Sequence, residues 1–241
     1  MVAPLLAPAI GSFIIHFFTW KAIFVFLGSY ALIVSILVYT NLQETFTYVK
    51  QNVWESYKSV ITNKAARPFI RVFPIIFSGM FIFISKSAFV YIEYFNVSTD
   101  WFPFFFGADV IFIMIMAKIN LKLLKKYETI SIVRFGVFMQ FLISIGLVLV
   151  LIKPSLILMF ILLTAHVSML GIIFGNLTAT ILDNFSKNAA TATAVIGVLN
   201  FSVGAIVASF VTLFHDTSLN SVSIGIFITS LIAYLFFPKV R

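Results

Sequence analysis

Two ionisable side chains, Lys86 and Asp109, lie inside stretches of sequence that are otherwise apolar. A charge at the centre of a membrane-spanning helix costs about 2.5–3.5 kcal/mol on insertion scales, so each side chain is expected to face protein or water and to have a partner. Lys86 lies 10 residues before Asn96, in the connection between the two stretches, and Asp109 lies 13 residues after it. At about 1.5 Å per helical residue, their depths differ by about 5 Å. The sequence therefore predicts a pair linked to protons or to substrate. A buried structural pair and two separate water-facing groups are the alternatives.

Other polar or small residues within apolar stretches are further candidates. Glu93 ends the stretch that contains Lys86, where it is either a proton-accepting group or a solvated helix end. Gly171 and Gly175 have the spacing that lets a neighbouring helix approach closely. Four polar side chains are expected to line a cavity or to hydrogen-bond a neighbouring helix: Gln140, His166, Asn176 and Asn200.

None of these residues belongs to a catalytic or metal-binding motif. The three histidines are isolated from one another, and the chain has no Cys. It also has no nucleophile elbow, no paired metal-binding histidines and no phosphate-binding glycine loop. We therefore expect a protein that is not an enzyme, with no metal or cofactor. A lysine cluster between residues 118 and 126 is explained by anionic lipid headgroups, so no nucleic acid is expected as a partner.

The elements that position the candidate residues must themselves lie in a membrane. Of the 241 residues, 61% are hydrophobic and 10% are charged, and the mean hydropathy is +1.11, whereas ordinary globular domains have about 25% charged residues. This composition excludes a soluble enzyme and a disordered tail. Because long apolar runs without alternation favour helices over a barrel, the predicted fold class is all-α, a polytopic helical membrane protein.

Eight apolar stretches are close to the length of about 20 residues that crosses a bilayer. They cover residues 2–17, 22–40, 69–92, 101–120, 131–152, 155–178, 191–214 and 220–237. Thirteen of the sixteen Lys and Arg residues lie in connections or ends on one side of this map, and two lie on the other. Since positive residues favour the cytoplasmic side, we expect a multi-pass protein of the inner (plasma) membrane with both termini in the cytoplasm.

The long connection at about residues 41–68 has an amphipathic middle, typical of a helix on the inner membrane surface. Apolar residues recur there at helical spacing, namely Val49, Val53, Tyr57 and Val60 or Ile61. The predicted organisation has three parts. Residues 1–42 form the last two helices of one bundle, residues 43–68 form a cytoplasmic loop, and residues 69–241 form a six-helix bundle.

Several short motifs follow this map in order. They are Leu-Ala-Pro-Ala-Ile-Gly-Ser at 6–12, Trp-Lys-Ala-Ile-Phe at 20–24, Gln-Glu-Thr at 43–45, Phe-Val-Tyr-Ile-Glu at 89–93, Asn-Leu-Thr-Ala at 176–179 and Ala-Ala-Thr-Ala-Thr-Ala at 189–194. The first resembles the antiporter motif of the drug:proton antiporters of the major facilitator superfamily. The series as a whole is similar to the bicyclomycin and multidrug-resistance subfamily.

The resemblance implies that the eight spans correspond to helices five to twelve of a twelve-helix fold. It implies proton-coupled efflux of drugs or small hydrophobic compounds by alternating access, an activity that confers antibiotic resistance. The partners would be the small hydrophobic substrate, protons and the lipid bilayer. Pro8 and Gly11 would form a bend that seals the outer gate, with simple helix packing as the alternative.

The same alignment lacks helices one to four. The alternative to an active carrier is therefore a truncated or split-gene product without transport activity of its own. Such a product would need a separately encoded N-terminal fragment.

Overall fold

The computed structural model describes residues 10–42 except 12, 52–186, 188–213 and 218–238. These residues form helices and the turns between them, with no strand in the described ranges. The predicted fold class, a polytopic helical membrane protein, is confirmed.

The chain divides into two compact units, residues 1–51 and residues 52–241. In the first unit, residues 13–17 are helical, and helix α1 covers Lys21–Asn41. Helix α1 is predominantly apolar and has no buried side chain, as expected for a helix that faces lipid. It corresponds to the predicted span 22–40, whereas the predicted span 2–17 lies largely outside the described residues.

The second unit contains one short helix followed by a bundle. Helix α2 covers Val53–Thr62, α3 covers Arg67–Ala88 and continues as a π-helical turn over Phe89–Tyr94, and α4 covers Phe102–Leu123. Helix α5 covers Thr129–Leu149 with a 3₁₀ turn at Val150–Ile152, and α6 covers Leu156–Ser168. The last three helices are α7 at Leu170–Leu182, α8 at Ala189–Leu213 and α9 at Asn220–Phe236.

Six helical segments within the described residues are long and apolar enough to cross a membrane. They are Lys21–Asn41, Arg67–Tyr94, Phe102–Leu123, Thr129–Ile152, Leu156–Leu182 and Ala189–Leu213, and the shorter apolar helix Asn220–Phe236 follows them. The third to eighth predicted spans therefore each correspond to a helix. One of them, 155–178, is interrupted at Met169, where α6 ends and α7 begins.

Polar side chains define where α2 and α3 begin. The Asn52 side chain accepts a hydrogen bond from the Trp54 backbone N–H at 3.1 Å, which caps α2. The Asn63 side chain accepts from the N–H groups of Ala65 and Ala66 at 3.0 Å each, and Pro68 lies in the first turn of α3. Proline suits that turn because its missing N–H would have no helical partner there.

The order of packing in the bundle differs from the order of the chain. Helix α3 packs mainly against α8 and α9, whereas α4 packs against α6 and α7. Helix α5 contacts α6, α7 and α9. Consecutive helices are therefore not always neighbours, and this arrangement decides which polar side chains meet.

Gly171 allows α7 to approach α4 closely. A Cβ atom at this position would collide with the backbone oxygen of Ile113 and lie 2.9 Å from the backbone nitrogen of Ala117. Gly175, four residues later, has no atom within 4 Å of the corresponding position. Only the first glycine of the pair therefore serves helix packing within the described structure.

We predict that Gly171→Ala lowers the free energy of unfolding by about 1–3 kcal/mol, because backbone atoms cannot move aside for the added methyl group. Gly175→Ala is the matched control on the same helix and is expected to be neutral or slightly stabilising. Denaturant unfolding in detergent measures both changes. Equal effects of the two substitutions would contradict the close-packing role of Gly171.

Candidate functional site

Asp109 is a buried carboxyl group between α4 and α6. Its side chain is 2% exposed, and its Oδ1 accepts a hydrogen bond of 2.6 Å from the Thr164 hydroxyl. Its Oδ2 is also buried and has no hydrogen-bond partner among the described residues. The carboxyl group is thus held by one neighbouring helix while one oxygen remains available to a proton or a water molecule.

The π-helical turn at the end of α3 places Tyr91 near this carboxyl group. The Tyr91 ring is fully buried, 4.9 Å from the Phe105 ring centroid and 6.5 Å from that of Phe160. Its hydroxyl has no partner within the described ranges, and Phe105, against which the ring packs, lies one helical turn before Asp109. π-Helical turns occur often at functional sites. The region around Asp109 therefore contains two unpartnered polar atoms enclosed by aromatic rings.

The predicted pairing of Lys86 with Asp109 is wrong. The half-buried Lys86 has its Nζ atom 5.4 Å from the Phe89 ring centroid, while Asp109 bonds Thr164. Counting residues from the connection compares depth along the helices only, and it leaves the neighbours of each helix undetermined. Neither Asp109 oxygen has Lys86 as its partner, because Oδ1 bonds Thr164 of α6 and Oδ2 has no hydrogen-bond partner among the described residues.

His166 is the centre of a second group of buried polar side chains. Its ring is 1% exposed, and its Nε2 shares a 3.0 Å hydrogen bond with the Ser230 hydroxyl of α9. The Gln140 side chain of α5 donates to the His166 backbone oxygen at 3.3 Å. Gly79 of α3 accommodates the ring, since a Cβ there would lie 2.8 Å from Cε1 of His166. Two predicted candidates, Gln140 and His166, are thus in contact and connect three helices.

Asn176 and Asn200 are also buried, in two different settings. Asn176 of α7 exchanges two hydrogen bonds with Asn120 of α4, at 2.7 and 3.1 Å. Asn200 of α8 is 2% exposed, and its Oδ1 has no partner in the described part of the chain. Asn176 therefore joins two helices near the Gly171 contact, while Asn200 has an open acceptor.

The remaining candidates lie apart from these groups. Glu93 is exposed within the π-helical turn, and Gly11 has no atom within 4 Å of its missing Cβ. Pro8 lies outside the described residues. The structure also identifies Thr164, which sequence reasoning missed because a lone threonine in an apolar span carries no distinguishing signal. Tyr91 could have been found through its place in the Phe-Val-Tyr-Ile-Glu motif.

Comparison with known proteins shows where similar sequences occur. Residues 1–209 match the family model of the Major Facilitator Superfamily. The chain is 29% identical over 220 residues to the bicyclomycin resistance protein homolog of Haemophilus influenzae. The aligned region covers 88% of this chain and 55% of that relative, so the chain spans about half the length of the curated relative it matches.

We predict that Thr164→Val destabilises the protein by about 1–3 kcal/mol, because it removes the hydrogen-bond donor of a buried carboxyl group and keeps the side-chain shape. The control is Thr193→Val, since the exposed Thr193 hydroxyl bonds only the backbone oxygen of Ala189 in its own helix. Unfolding in detergent measures both substitutions. If Thr164→Val lowered the free energy of unfolding no more than Thr193→Val, the hydrogen bond to Asp109 would make no contribution to stability.

Proposed function

Because this chain belongs to the Major Facilitator Superfamily, we propose that it takes part in proton-coupled export of small hydrophobic compounds, drugs among them, by alternating access. The similarity to a bicyclomycin resistance protein homolog supports this class of substrate. Membrane-length helices and the family match identify a multi-pass membrane protein of a transporter family. The uneven distribution of Lys and Arg supports an inner-membrane location with cytoplasmic termini.

The observation that carries the proton-coupling proposal is the burial of Asp109 with one oxygen unpartnered. Ionisable residues inside membrane spans commonly belong to ion or proton paths. The ionised carboxylate accepts a charge-assisted hydrogen bond from Thr164, and proton uptake converts it to a neutral group that makes a weaker bond. Uptake of a proton therefore changes the strength of a contact between α4 and α6. This contact gives a physical connection between proton binding and helix movement.

The other candidates have subsidiary roles in the proposal. Glu93, which is exposed, would exchange protons with the aqueous phase. Lys86, near the C-terminal end of α3, would interact with protons or substrate there. Pro8 and Gly11 would belong to the gate. The buried groups of Gln140, His166, Asn176 and Asn200 would supply polar contacts when the bundle rearranges.

The relative is about twice as long as the aligned region, so a second polypeptide that supplies the unmatched helices is part of the proposal as a partner. We expect export to be measurable under one of two conditions. The chain is expressed in drug-sensitive cells either alone or together with the portion of the relative that it does not match. Export by the chain alone would show that the second polypeptide is dispensable, and the absence of export under both conditions would contradict the proposed function.

Under the condition that supports export, we predict that Asp109→Asn abolishes the efflux that depends on the proton gradient. The reason is that the amide cannot bind and release the proton. Bicyclomycin resistance and efflux of a hydrophobic dye, each with and without a protonophore, are the readouts. The control is Asp183→Asn, which makes the same chemical change at an exposed position at the end of α7. Proton-driven efflux by Asp109→Asn at the level of the unsubstituted chain would remove Asp109 from the mechanism.

A further inference from the structure

A groove with a volume of about 330 Å³ lies where α3 begins, between α2, α3 and α8. Its wall is apolar over most of its extent, formed by Ile61, Ile70, Pro74, Ile75, Leu199 and Val203. None of the proposed transport residues lines it. The groove is therefore suited to a ligand with an apolar portion.

Arg67 and Arg71 also line this groove. They are four residues apart, so they lie on the same face of α3, and both are exposed. Neither guanidinium forms an ion pair with a carboxylate in the described ranges, and the first turn of α3 has no acidic residue. Positive side chains are unfavourable at the start of a helix, where the backbone dipole is also positive. The charge at this end of the groove is thus unbalanced, and an anion would compensate it.

We infer that the groove binds an anionic phospholipid, with its phosphate on Arg67 and Arg71 and part of an acyl chain along the apolar wall. Guanidinium groups bind phosphate with two parallel hydrogen bonds. Basic pockets between membrane helices are typical sites for anionic headgroups. Helix α2 adds a second indication, because Val60 is buried whereas Val53 and Trp54 are exposed. Such a helix suits the membrane interface, the depth at which headgroups lie.

The lipid would connect α2 to α3 and α8 through one molecule. Its binding does not depend on transport, so the inference stands or falls separately from the proposed function.

The test is native mass spectrometry of the full purified chain, titrated with phosphatidylglycerol. Phosphatidylcholine and glycerol phosphate are titrated in parallel. We expect phosphatidylglycerol to bind tightly, phosphatidylcholine weakly because it has no net charge, and glycerol phosphate weakly because it has no acyl chain. Equal binding of phosphatidylcholine would overturn the anionic site, and equal binding of glycerol phosphate would show a site for free anions instead.

Paired variants separate a specific site from general surface attraction. Substitution of both arginines, Arg67→Gln and Arg71→Gln, is compared with Lys21→Gln and Lys153→Gln, which removes the same charge from exposed residues outside the groove and outside the lysine cluster. We expect the arginine variant to bind phosphatidylglycerol at least about tenfold more weakly than the lysine variant, because the loss of even one charge-assisted hydrogen bond is a factor of about ten. Equal weakening in the two variants would overturn the site.

Val203→Trp provides an independent arm, because it fills the groove and leaves both arginines in place. Its unfolding temperature is measured first, to establish that the variant is folded. The inference predicts lost phosphatidylglycerol binding by the folded variant, and unchanged binding would contradict it. Should Val203→Trp fail to fold, Leu199→Phe takes its place with the same two outcomes.

Discussion

The hydrogen bond from the Thr164 hydroxyl to Asp109 joins α4 to α6 inside the bundle, where the Asp109 side chain is 2% exposed. An ionised carboxylate inside an apolar bundle needs a donor on another helix, because the bilayer supplies none. The contact therefore favours the rotation of α4 that turns Asp109 toward α6. Helix α4 also packs closely against α7, because Gly171 has no side chain and lets α7 approach the backbone of α4.

Three groups of buried polar side chains tie the bundle together in this way. Thr164 bonds Asp109, Asn120 bonds Asn176, and His166 connects with both Ser230 and Gln140. Each group joins different helices, whereas the surfaces between the groups are apolar. Moving these helices apart would break hydrogen bonds between buried polar groups, which costs free energy. The polar groups would therefore limit the relative movement of the helices. Of the three, the one containing Asp109 includes a carboxyl group, so proton binding can change its strength.

Properties that depend on local composition could be predicted from the sequence. The length and hydrophobicity of an apolar run predicted the span 131–152, and the structure has a helical segment at Thr129–Ile152. The boundary between α6 and α7 at Met169 was not predicted, because Met169 keeps helical backbone angles and its apolar neighbourhood contains no proline. Family membership was also recoverable, because it rested on motifs in a fixed order and was confirmed by the match over residues 1–209.

Contacts between helices were much harder to predict. Counting residues from a loop predicted similar depths for Lys86 and Asp109, but which side chains meet depends on packing across the whole bundle. The same reasoning applies to Gly171 and Gly175, which look equivalent in sequence and differ because only one faces α4. Thr164 had no local signal at all, since its importance comes from a carboxyl group 55 residues earlier in the chain.

We propose that Asp109 binds and releases a proton inside the bundle. Infrared difference spectroscopy of the purified chain in lipid tests it directly, without any need for substrate, by following the carbonyl stretch of a protonated carboxyl group as pH is varied. We expect a band that titrates reversibly, disappears in Asp109→Asn and persists in Asp183→Asn. A titrating band that is the same in Asp109→Asn as in the unsubstituted chain would contradict it.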